Sequence, residues 1–352
     1  MAEKQRVEYI DLMKGIVILL VVIGHCSLSL PEHLRHMLAF ARMPLFVFMS
    51  GLFFSTYGGS FKQLLVKKLS KLMVPYITFK LVFVMLLPFT NEYFSIGMLK
   101  SIVYQFLTKA DIGSLNTPLW FLVLLFVLAL LGYGAECLLK KHPKLVRLGV
   151  VTALSFVAFL YNNYLWDSCP EDVSPDRICF LYKICLIQAL ILLPLYYAAY
   201  LFRDKILCPH KPLYMWLMLP VALVVCYFMV DGPVWHFGGY FPRNYIKLWL
   251  VQLAGIYVVY FVGYMLKRVP YLSYVGRYSL VVLVTHIIVI KFSVTTLHIH
   301  DGYAHVAIVF ATAPALIWLL TRYMPHFTAQ KDLIRLDEKG KIKILLLSAK
   351  LF

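Results

Sequence analysis

Ionisable side chains at the ends of long apolar segments, or inside them, are the feature of this sequence that most suggests chemistry. Asp11 stands at the entrance of the first apolar segment, and His25 lies near its far end. Arg42 and His286 lie within later segments. A charged group placed inside a bilayer costs about 2.5–3.5 kcal/mol on insertion scales, so such residues are candidates for function. Histidine can act as a base near neutral pH, and arginine can steady a developing negative charge.

The spacing of these residues limits how they can act together. Asp11 and His25 are fourteen residues apart, close to four helical turns, so they share a helix face but lie about 21 Å apart. That distance excludes a direct catalytic triad. Arg42 lies one to two turns inside the next, antiparallel segment, where it can share a depth with His25.

Each of these positions also has an ordinary structural explanation. A single histidine such as His25 can be a hydrogen-bonded packing residue, and Arg42 can extend its side chain to the headgroups. His286 is either a second active-site residue or a buried hydrogen-bonding group. The sequence alone leaves these alternatives open.

The composition shows what kind of elements must position these residues. The chain is 61% hydrophobic and 14% charged, with a mean hydropathy of +0.78, whereas soluble domains are about 45–50% apolar and about 25% charged. We therefore expect lipid to be its solvent. The net charge of +17 lies in short clusters between apolar runs, without the interleaved aromatic residues of a nucleic-acid surface, so no nucleic-acid partner is expected.

The positioning elements are predicted to be about ten transmembrane helices, which makes the chain an all-α polytopic membrane protein. The first run is a retained helix and not a cleavable signal peptide, because Asp11 and Lys14 stand at its entrance. The segment Ile96–Thr108 is amphipathic and too short to span. The runs of spanning length are residues 10–29, 37–57, 72–89, 118–139, 146–162, 178–201, 213–230, 245–266, 278–297 and 303–322.

Basic residues predict the orientation of the chain in the membrane. Lysine and arginine collect in alternate loops, whereas the loop around Glu171 and Asp172 is acidic, so both termini are expected to be cytoplasmic. The chain then divides into a transmembrane domain over residues 1–329 and a basic cytoplasmic tail over residues 330–352. The apolar stretch Ile342–Leu347 of this tail is suited to rest on the anionic inner leaflet.

Neither the cysteines nor a histidine cluster shows the spacing of a metal site. The seven cysteines contain no CxxC pair. Cys169 and Cys179 share one predicted outer loop, where a disulfide is one alternative to two free thiols. A second polar cluster, beside another predicted loop, consists of His298, His300, Asp301 and His305. Its spacing is not that of a zinc site, so no metal is expected there.

Five segments carry motifs that occur together in one known family. They are Arg6–His25, Arg42–Gly51, Lys67–Tyr76, Thr117–Leu122 with its Pro-Leu-Trp-Phe-Leu core, and Tyr274–Leu280 followed by His286. In this order, over predicted helices one to nine, they resemble the acyltransferase-3 family of membrane O-acyltransferases. About ten spans is also that family's usual number.

The resemblance implies an activity and a location. The family transfers an acetyl or other short acyl group to a hydroxyl of an extracytoplasmic glycan or lipid-linked sugar, with acyl-CoA, typically acetyl-CoA, as donor. Its essential histidine in helix one corresponds to His25. Many relatives carry two arginines where this chain has Lys68 and Lys71, and many carry histidine at the position of Arg42. The membrane implied is the inner or plasma membrane of a bacterium.

These expectations give each candidate residue a role. His25 is predicted to deprotonate the acceptor hydroxyl and Arg42 to steady the oxyanion, with Asp11 as a third catalytic candidate. Trp120 would stack on a sugar ring, or else belong to an interfacial tryptophan belt. His286 is assigned to acceptor binding. The cations predicted to hold the phosphates of the donor are Lys67, Lys68, Lys71 and Arg277.

Two other functions are compatible with charged residues inside a membrane. A transporter or flippase of a lipid-linked sugar or polysaccharide would use the same residue types, but the chain shows no internal repeat of the kind that transporters often have. A purely structural scaffold explains neither His25 nor Arg42. Incorporation of label from acetyl-CoA distinguishes the enzyme from an exporter.

Overall fold

Nearly all of the described secondary structure is helical, as the apolar composition predicts. The structure is a computed structural model and describes residues 8–91, 94–101, 117–167, 185–208, 212–230, 235–236, 239–240, 244–337 and 341–344. Its first helices are α1 (Glu8–His25), α2 (Glu32–Leu52), α3 (Phe61–Lys68), α4 (Val74–Met85), α5 (Leu87–Thr90) and α6 (Trp120–Leu139). The later helices are α7 (Lys144–Asp167), α8 (Gln188–Leu201), α9 (Arg203–Leu207), α10 (Pro212–Phe228), α11 (Tyr245–Leu266), α12 (Pro270–Arg277), α13 (Ser279–Thr295) and α14 (Gly302–Tyr323).

The structure also has two small antiparallel hairpins. Strand β1 (Trp235–His236) pairs with β2 (Gly239–Tyr240), and β3 (Ile334–Leu336) pairs with β4 (Ile342–Ile344). Two 3₁₀ turns, Tyr57–Gly59 and Thr117–Leu119, precede α3 and α6.

Helix α1 packs against several other helices of the bundle, and glycines allow one of them to approach very closely. A Cβ atom added at Gly15 would fall on the carbonyl oxygen of Leu272, and one added at Gly276 would fall on that of Asp11. The backbones of α1 and α12 therefore touch, which is how small residues act between membrane helices. The chain then bends by 90° between α12 and α13, and α13 also packs against α1.

A π-helical turn interrupts the helical path from Phe61 to Met85. Helix α3 is capped by Ser60, whose hydroxyl accepts a hydrogen bond from the Gln63 amide. The turn Leu69–Met73 then separates α3 from α4. A π turn holds an extra residue, so it changes which side chains share a face. Lys71 lies within this turn, and Lys67 and Lys68 directly precede it.

A buried polar network joins α6, α7 and α8. The Arg147 guanidinium donates through Nε and Nη2 to the Tyr197 hydroxyl oxygen, at 3.0 and 2.7 Å. It also pairs with the Glu136 carboxylate. The Tyr197 hydroxyl in turn donates to Glu136 Oε2 at 2.9 Å. These three residues, which we call the Arg147 network, all bind one another.

The described helices include several that can cross a membrane. By length and composition, Trp120–Leu139, Lys144–Tyr164, Tyr245–Leu266 and Gly302–Tyr323 qualify, and the bent pair α12 and α13 makes a fifth if it counts as one span. Two shorter apolar helices are Cys185–Leu201 and Leu213–Phe228. A predominantly helical protein with several apolar spans is thus confirmed, while the predicted number of ten stays a prediction.

The first part of the predicted tail docks on the π turn. Asp332 accepts from Lys67 Nζ at 2.5 Å and forms an ion pair with Lys71 at 3.4 Å. The Ser70 hydroxyl accepts from the Leu333 amide at 2.8 Å. The hairpin β3–β4 follows, with Ile342 exposed. The division of the chain at residue 329 and the contact of Ile342–Leu347 with lipid stay predictions.

Some expectations fall on residues that the structure does not describe. Cys169 and Cys179 lie outside the described residues, so their pairing is not addressed. Of the predicted amphipathic segment Ile96–Thr108, residues 96–101 are helical and the rest lie outside. The predicted run 178–201 is described only from residue 185.

Candidate active site

Two histidines from different helices meet beside an arginine. The ring centroids of His25, at the end of α1, and His286, in α13, are 5.3 Å apart, and their planes are tilted by 50°. The Arg42 guanidinium of α2 lies against Gly24, because a Cβ atom there would fall on Arg42 Nη1. Glycine at position 24 therefore makes room for a cation next to His25. We call His25, His286 and Arg42 the histidine site.

The two histidines differ in their access to solvent and in their hydrogen bonds. His25 is exposed, whereas His286 is 0% exposed. Nδ1 of His286 lies 3.0 Å from the Val282 carbonyl oxygen, and because a carbonyl can only accept, Nδ1 carries the proton of this bond. Nε2 of His286 is buried and has no hydrogen-bond partner among the described residues.

A cavity of about 300 Å³ lies between the histidine site and the Asp11 end of α1. Its polar wall includes Lys14 and Lys68, and Phe46 and Leu283 belong to its apolar wall. Phe46 follows Arg42 by four residues and Leu283 precedes His286 by three, so the cavity reaches to about one helical turn from the histidine site. The other residues that line it include Ser50, Phe121 and Ser279.

The three lysines at the π turn and just before it contact two different places. Lys67 and Lys71 bind Asp332 of the tail, whereas Lys68 lines the cavity. Burial acts to raise the pKa of Asp332, but the hydrogen bonds and charges of the two lysines outweigh it and hold that pKa below its ordinary value. The sequence groups these lysines as one phosphate-binding set. The structure brings only Lys68 to the cavity.

The structure does not bring Asp11 to the histidine site. Asp11 Oδ2 lies 3.9 Å from Arg277 Nε, with the Asp11 side chain largely buried and that of Arg277 partly exposed. This pair joins α1 to α12 at the end of α1 away from His25. The catalytic role predicted for Asp11 and the donor contact predicted for Arg277 therefore stay predictions without a geometric link to the histidines or to the cavity lining.

Comparison with known proteins decides the family. A family model of acyltransferase-3, described as an acyltransferase domain, matches residues 7–322. The chain belongs to the acyltransferase-3 family. Comparison with curated proteins and with solved structures yields no significant match. The family confirms the resemblance of the five motifs and the assignment to acyltransferases, and together with the apolar helices it makes the protein a multi-pass membrane acyltransferase.

The chemical needs of an acyltransferase can be compared with the residues at the site. Acyl transfer to a hydroxyl needs a base for the hydroxyl proton and a positive or hydrogen-bonding group for the oxyanion. The His25 imidazole and the neighbouring Arg42 guanidinium are groups of these types. The cavity adds a mostly apolar space with lysines at its wall. A donor that fits this cavity has an apolar segment for its walls and an anionic segment for its lysines.

Lys14 is a residue of this acyltransferase that the sequence reasoning did not select. It lines the cavity with Lys68 and lies eleven residues before His25, just over three helical turns, so the two residues project from nearly the same face of α1. That spacing is closer to a whole number of turns than the fourteen residues from Asp11 to His25. The spacing was the signal that could have found it.

Trp120 is buried in the core of the acyltransferase. It is the first residue of α6, is 8% exposed and packs edge to face on Phe121, with ring centroids 5.9 Å apart. A tryptophan of an interfacial belt faces lipid, so this burial counts against that alternative. Stacking of Trp120 on a sugar ring stays a prediction.

The polar cluster at the start of α14 has structural contacts. Asp301 caps α14 by accepting from the Ala304 amide at 2.7 Å. His305 is buried, and its Nε2 lies 2.9 Å from the Ile299 carbonyl oxygen. Within the described part of the chain, no three histidine, cysteine or acidic residues are grouped as a metal site would require.

Proposed function

We propose that this acyltransferase moves an acetyl or other short acyl group from acyl-CoA to a hydroxyl of an extracytoplasmic glycan or lipid-linked sugar. The observation that carries the proposal is the cavity that runs from Lys14 and Lys68 to within about one helical turn of the histidine site. Its two lysines suit the phosphates of the donor, and its apolar walls suit an acyl chain with its thiol arm.

The proposed topology puts the two substrates on opposite sides of a bacterial cell membrane. About ten helices cross it, and both termini are cytoplasmic, as the distribution of basic residues predicts. Lys14 and Lys68 then face the compartment that holds acyl-CoA. His25, the last residue of α1, then lies toward the opposite side, from which a glycan hydroxyl approaches.

The proposed reaction uses His25 twice. His25 takes the proton of the acceptor hydroxyl as the hydroxyl oxygen bonds to the acyl carbon. Arg42 donates hydrogen bonds to the carbonyl oxygen while that oxygen carries negative charge. The carbon–sulfur bond then breaks, and His25 returns the proton to the departing thiolate. Atoms and charge balance, and the products are an O-acyl ester and free CoA.

The first test measures acylation of the cell-surface glycan by mass spectrometry, together with incorporation of labelled acetyl from acetyl-CoA. We expect cells without the protein to lose the acyl mark, wild type to restore it, and His25→Ala to leave it at least about 100-fold below wild type at equal expression. His33→Ala is the matched control, since His33 is exposed on α2, and it should restore the mark. Full acylation by His25→Ala would remove His25 from the chemistry.

The second test examines the donor site in purified protein. We expect Lys68→Met to weaken binding of acetyl-CoA by roughly tenfold, because one charge–phosphate contact is worth about 1–2 kcal/mol in a partly buried site. Lys62→Met changes an exposed lysine of α3 outside the cavity lining and should leave binding unchanged. Equal affinity of the two variants would move the donor away from this cavity.

A further inference from the structure

His286 differs from the other groups of the histidine site because one of its buried nitrogens has no partner in the described part of the chain. The side chain is 0% exposed, and Nε2 finds no hydrogen bond among the described residues. Buried polar atoms of native proteins are nearly always paired, so an exception of this kind calls for a specific explanation.

The hydrogen bond at the other nitrogen determines what Nε2 can do. Nδ1 of His286 lies 3.0 Å from the Val282 carbonyl oxygen, one helical turn earlier in α13. Because the carbonyl is an acceptor, Nδ1 holds a proton, and in a neutral imidazole Nε2 then carries the lone pair. Nε2 is therefore an acceptor held in a fixed direction by the backbone of α13.

His25 is the neighbouring residue whose ring contacts His286. The two centroids are 5.3 Å apart, close enough that rotation of the exposed His25 side chain can bring one of its N–H groups to Nε2 of His286. Catalytic hydrogen bonds are often long in the empty site and tighten when substrate binds. The opposite nitrogen of His25 would then present its lone pair to the solvent-exposed side.

We propose that His286 is a positioning residue that accepts an N–H hydrogen bond from His25 and so selects the tautomer in which His25 is a base toward the acceptor hydroxyl. This inference rests on the proposed function of His25. The logic is that of a base oriented by a third group, with a neutral imidazole in place of a carboxylate. A neutral acceptor makes a weaker bond than a charged one, so its loss should cost less than the loss of His25.

The experiment compares His286→Leu, His286→Gln and wild type in lipid nanodiscs. In His286→Leu we expect kcat for acyl transfer to fall about 10- to 100-fold, because His25 loses its orientation, while KM for acetyl-CoA stays within about twofold of wild type. In His286→Gln, whose amide oxygen can accept the same hydrogen bond, kcat should recover to within about fivefold of wild type. His305→Gln changes another buried, carbonyl-bonded histidine and should not alter kcat per folded molecule.

A second readout does not depend on catalysis. ¹⁵N NMR of protein labelled at histidine nitrogens reports the tautomer of His25, assigned by the signal lost in His25→Gln. We expect one dominant tautomer in wild type and in His286→Gln, and a mixture in His286→Leu. If wild type transfers no acyl group but the tautomer still responds to His286, the proposed function fails and the positioning role stands. An unchanged His25 tautomer in His286→Leu overturns the positioning role whether or not the enzyme is active.

Discussion

The Arg147 network and the histidine site are both polar clusters built by three helices, and they differ in whether their members satisfy one another. In the Arg147 network, Glu136, Arg147 and Tyr197 each bind the other two. In the histidine site, His286 Nε2 has no partner, and Arg42 forms no ion pair with a carboxylate in the described part of the chain.

The difference indicates what each cluster is for. A buried charge that is fully hydrogen-bonded and paired holds helices in one arrangement, and removal of either partner leaves a costly unpaired charge. A cluster with an open acceptor and an arginine beside an exposed histidine keeps its hydrogen-bonding capacity for a ligand or a transition state. The first cluster should therefore control stability, and the second should control the rate.

The largest effect is expected from a substitution that breaks the Arg147 network. Arg147→Met should lower the free energy of unfolding by about 3 kcal/mol, because the partly buried Glu136 is left without its cation and the Tyr197 hydroxyl without its donor. The measurement is thermal or denaturant unfolding in detergent, and acyl-transfer rates should be normalised to the folded fraction. Arg147→Met combined with Glu136→Leu should regain most of the lost stability. A rate per folded molecule that falls together with stability would contradict the separation of the two clusters.

A smaller effect is expected from a substitution that crowds the histidine site. In Gly24→Ala the new methyl group occupies the space of Arg42 Nη1, so the guanidinium must move. The acyl-transfer rate should fall roughly 10- to 100-fold because of this displacement, while stability stays within about 1 kcal/mol, since the arginine end is flexible and alanine favours helix.

The control for this change is Gly149→Ala in α7. A Cβ atom there meets nothing within 4 Å, so both rate and stability should match wild type. If Gly24→Ala retains the full rate, the position of Arg42 next to His25 does not matter for the reaction.

The smallest effect is expected where the tail meets the π turn. The pKa of Asp332 lies below its ordinary value of 3.8 because Lys67 and Lys71 outweigh the opposing effect of burial. The carboxylate loses its proton more readily when the tail is docked. Its contribution to the free energy of docking is therefore fully present above about pH 4 and is lost as the pH falls through the lowered pKa. The contribution should stay below about 1 kcal/mol, as for other partly exposed ion pairs.

Hydrogen exchange of residues 331–337 as a function of pH measures this docking. Protection in wild type should decline in acid, whereas Asp332→Asn should show lower protection at neutral pH with little further decline. Asp337→Asn is the matched control in the same segment and should retain the wild-type pH profile. An identical profile in Asp332→Asn and wild type would mean that the two lysines do not hold the tail.

Much of the architecture could be predicted from composition and periodicity. Long apolar runs in a chain that is 61% hydrophobic require helices, since a backbone in lipid must satisfy its own hydrogen bonds. Helical rise placed His25 and Arg42 at one depth on neighbouring antiparallel segments, and the structure places Arg42 against Gly24, next to His25. The five motifs identified the family that the family model confirms.

The tertiary structure alone decided which polar groups meet. Nothing in the sequence pairs His286 with His25, Arg277 with Asp11, or Asp332 with Lys67, because each contact joins elements far apart in the chain. Periodicity assigns a residue to a face of its own helix, but helix packing decides which neighbour that face meets. The three lysines at and before the π turn follow the same rule. Lys67 and Lys71, four residues apart, both bind Asp332 of the tail, whereas Lys68 lines the cavity, because consecutive helical residues project in different directions.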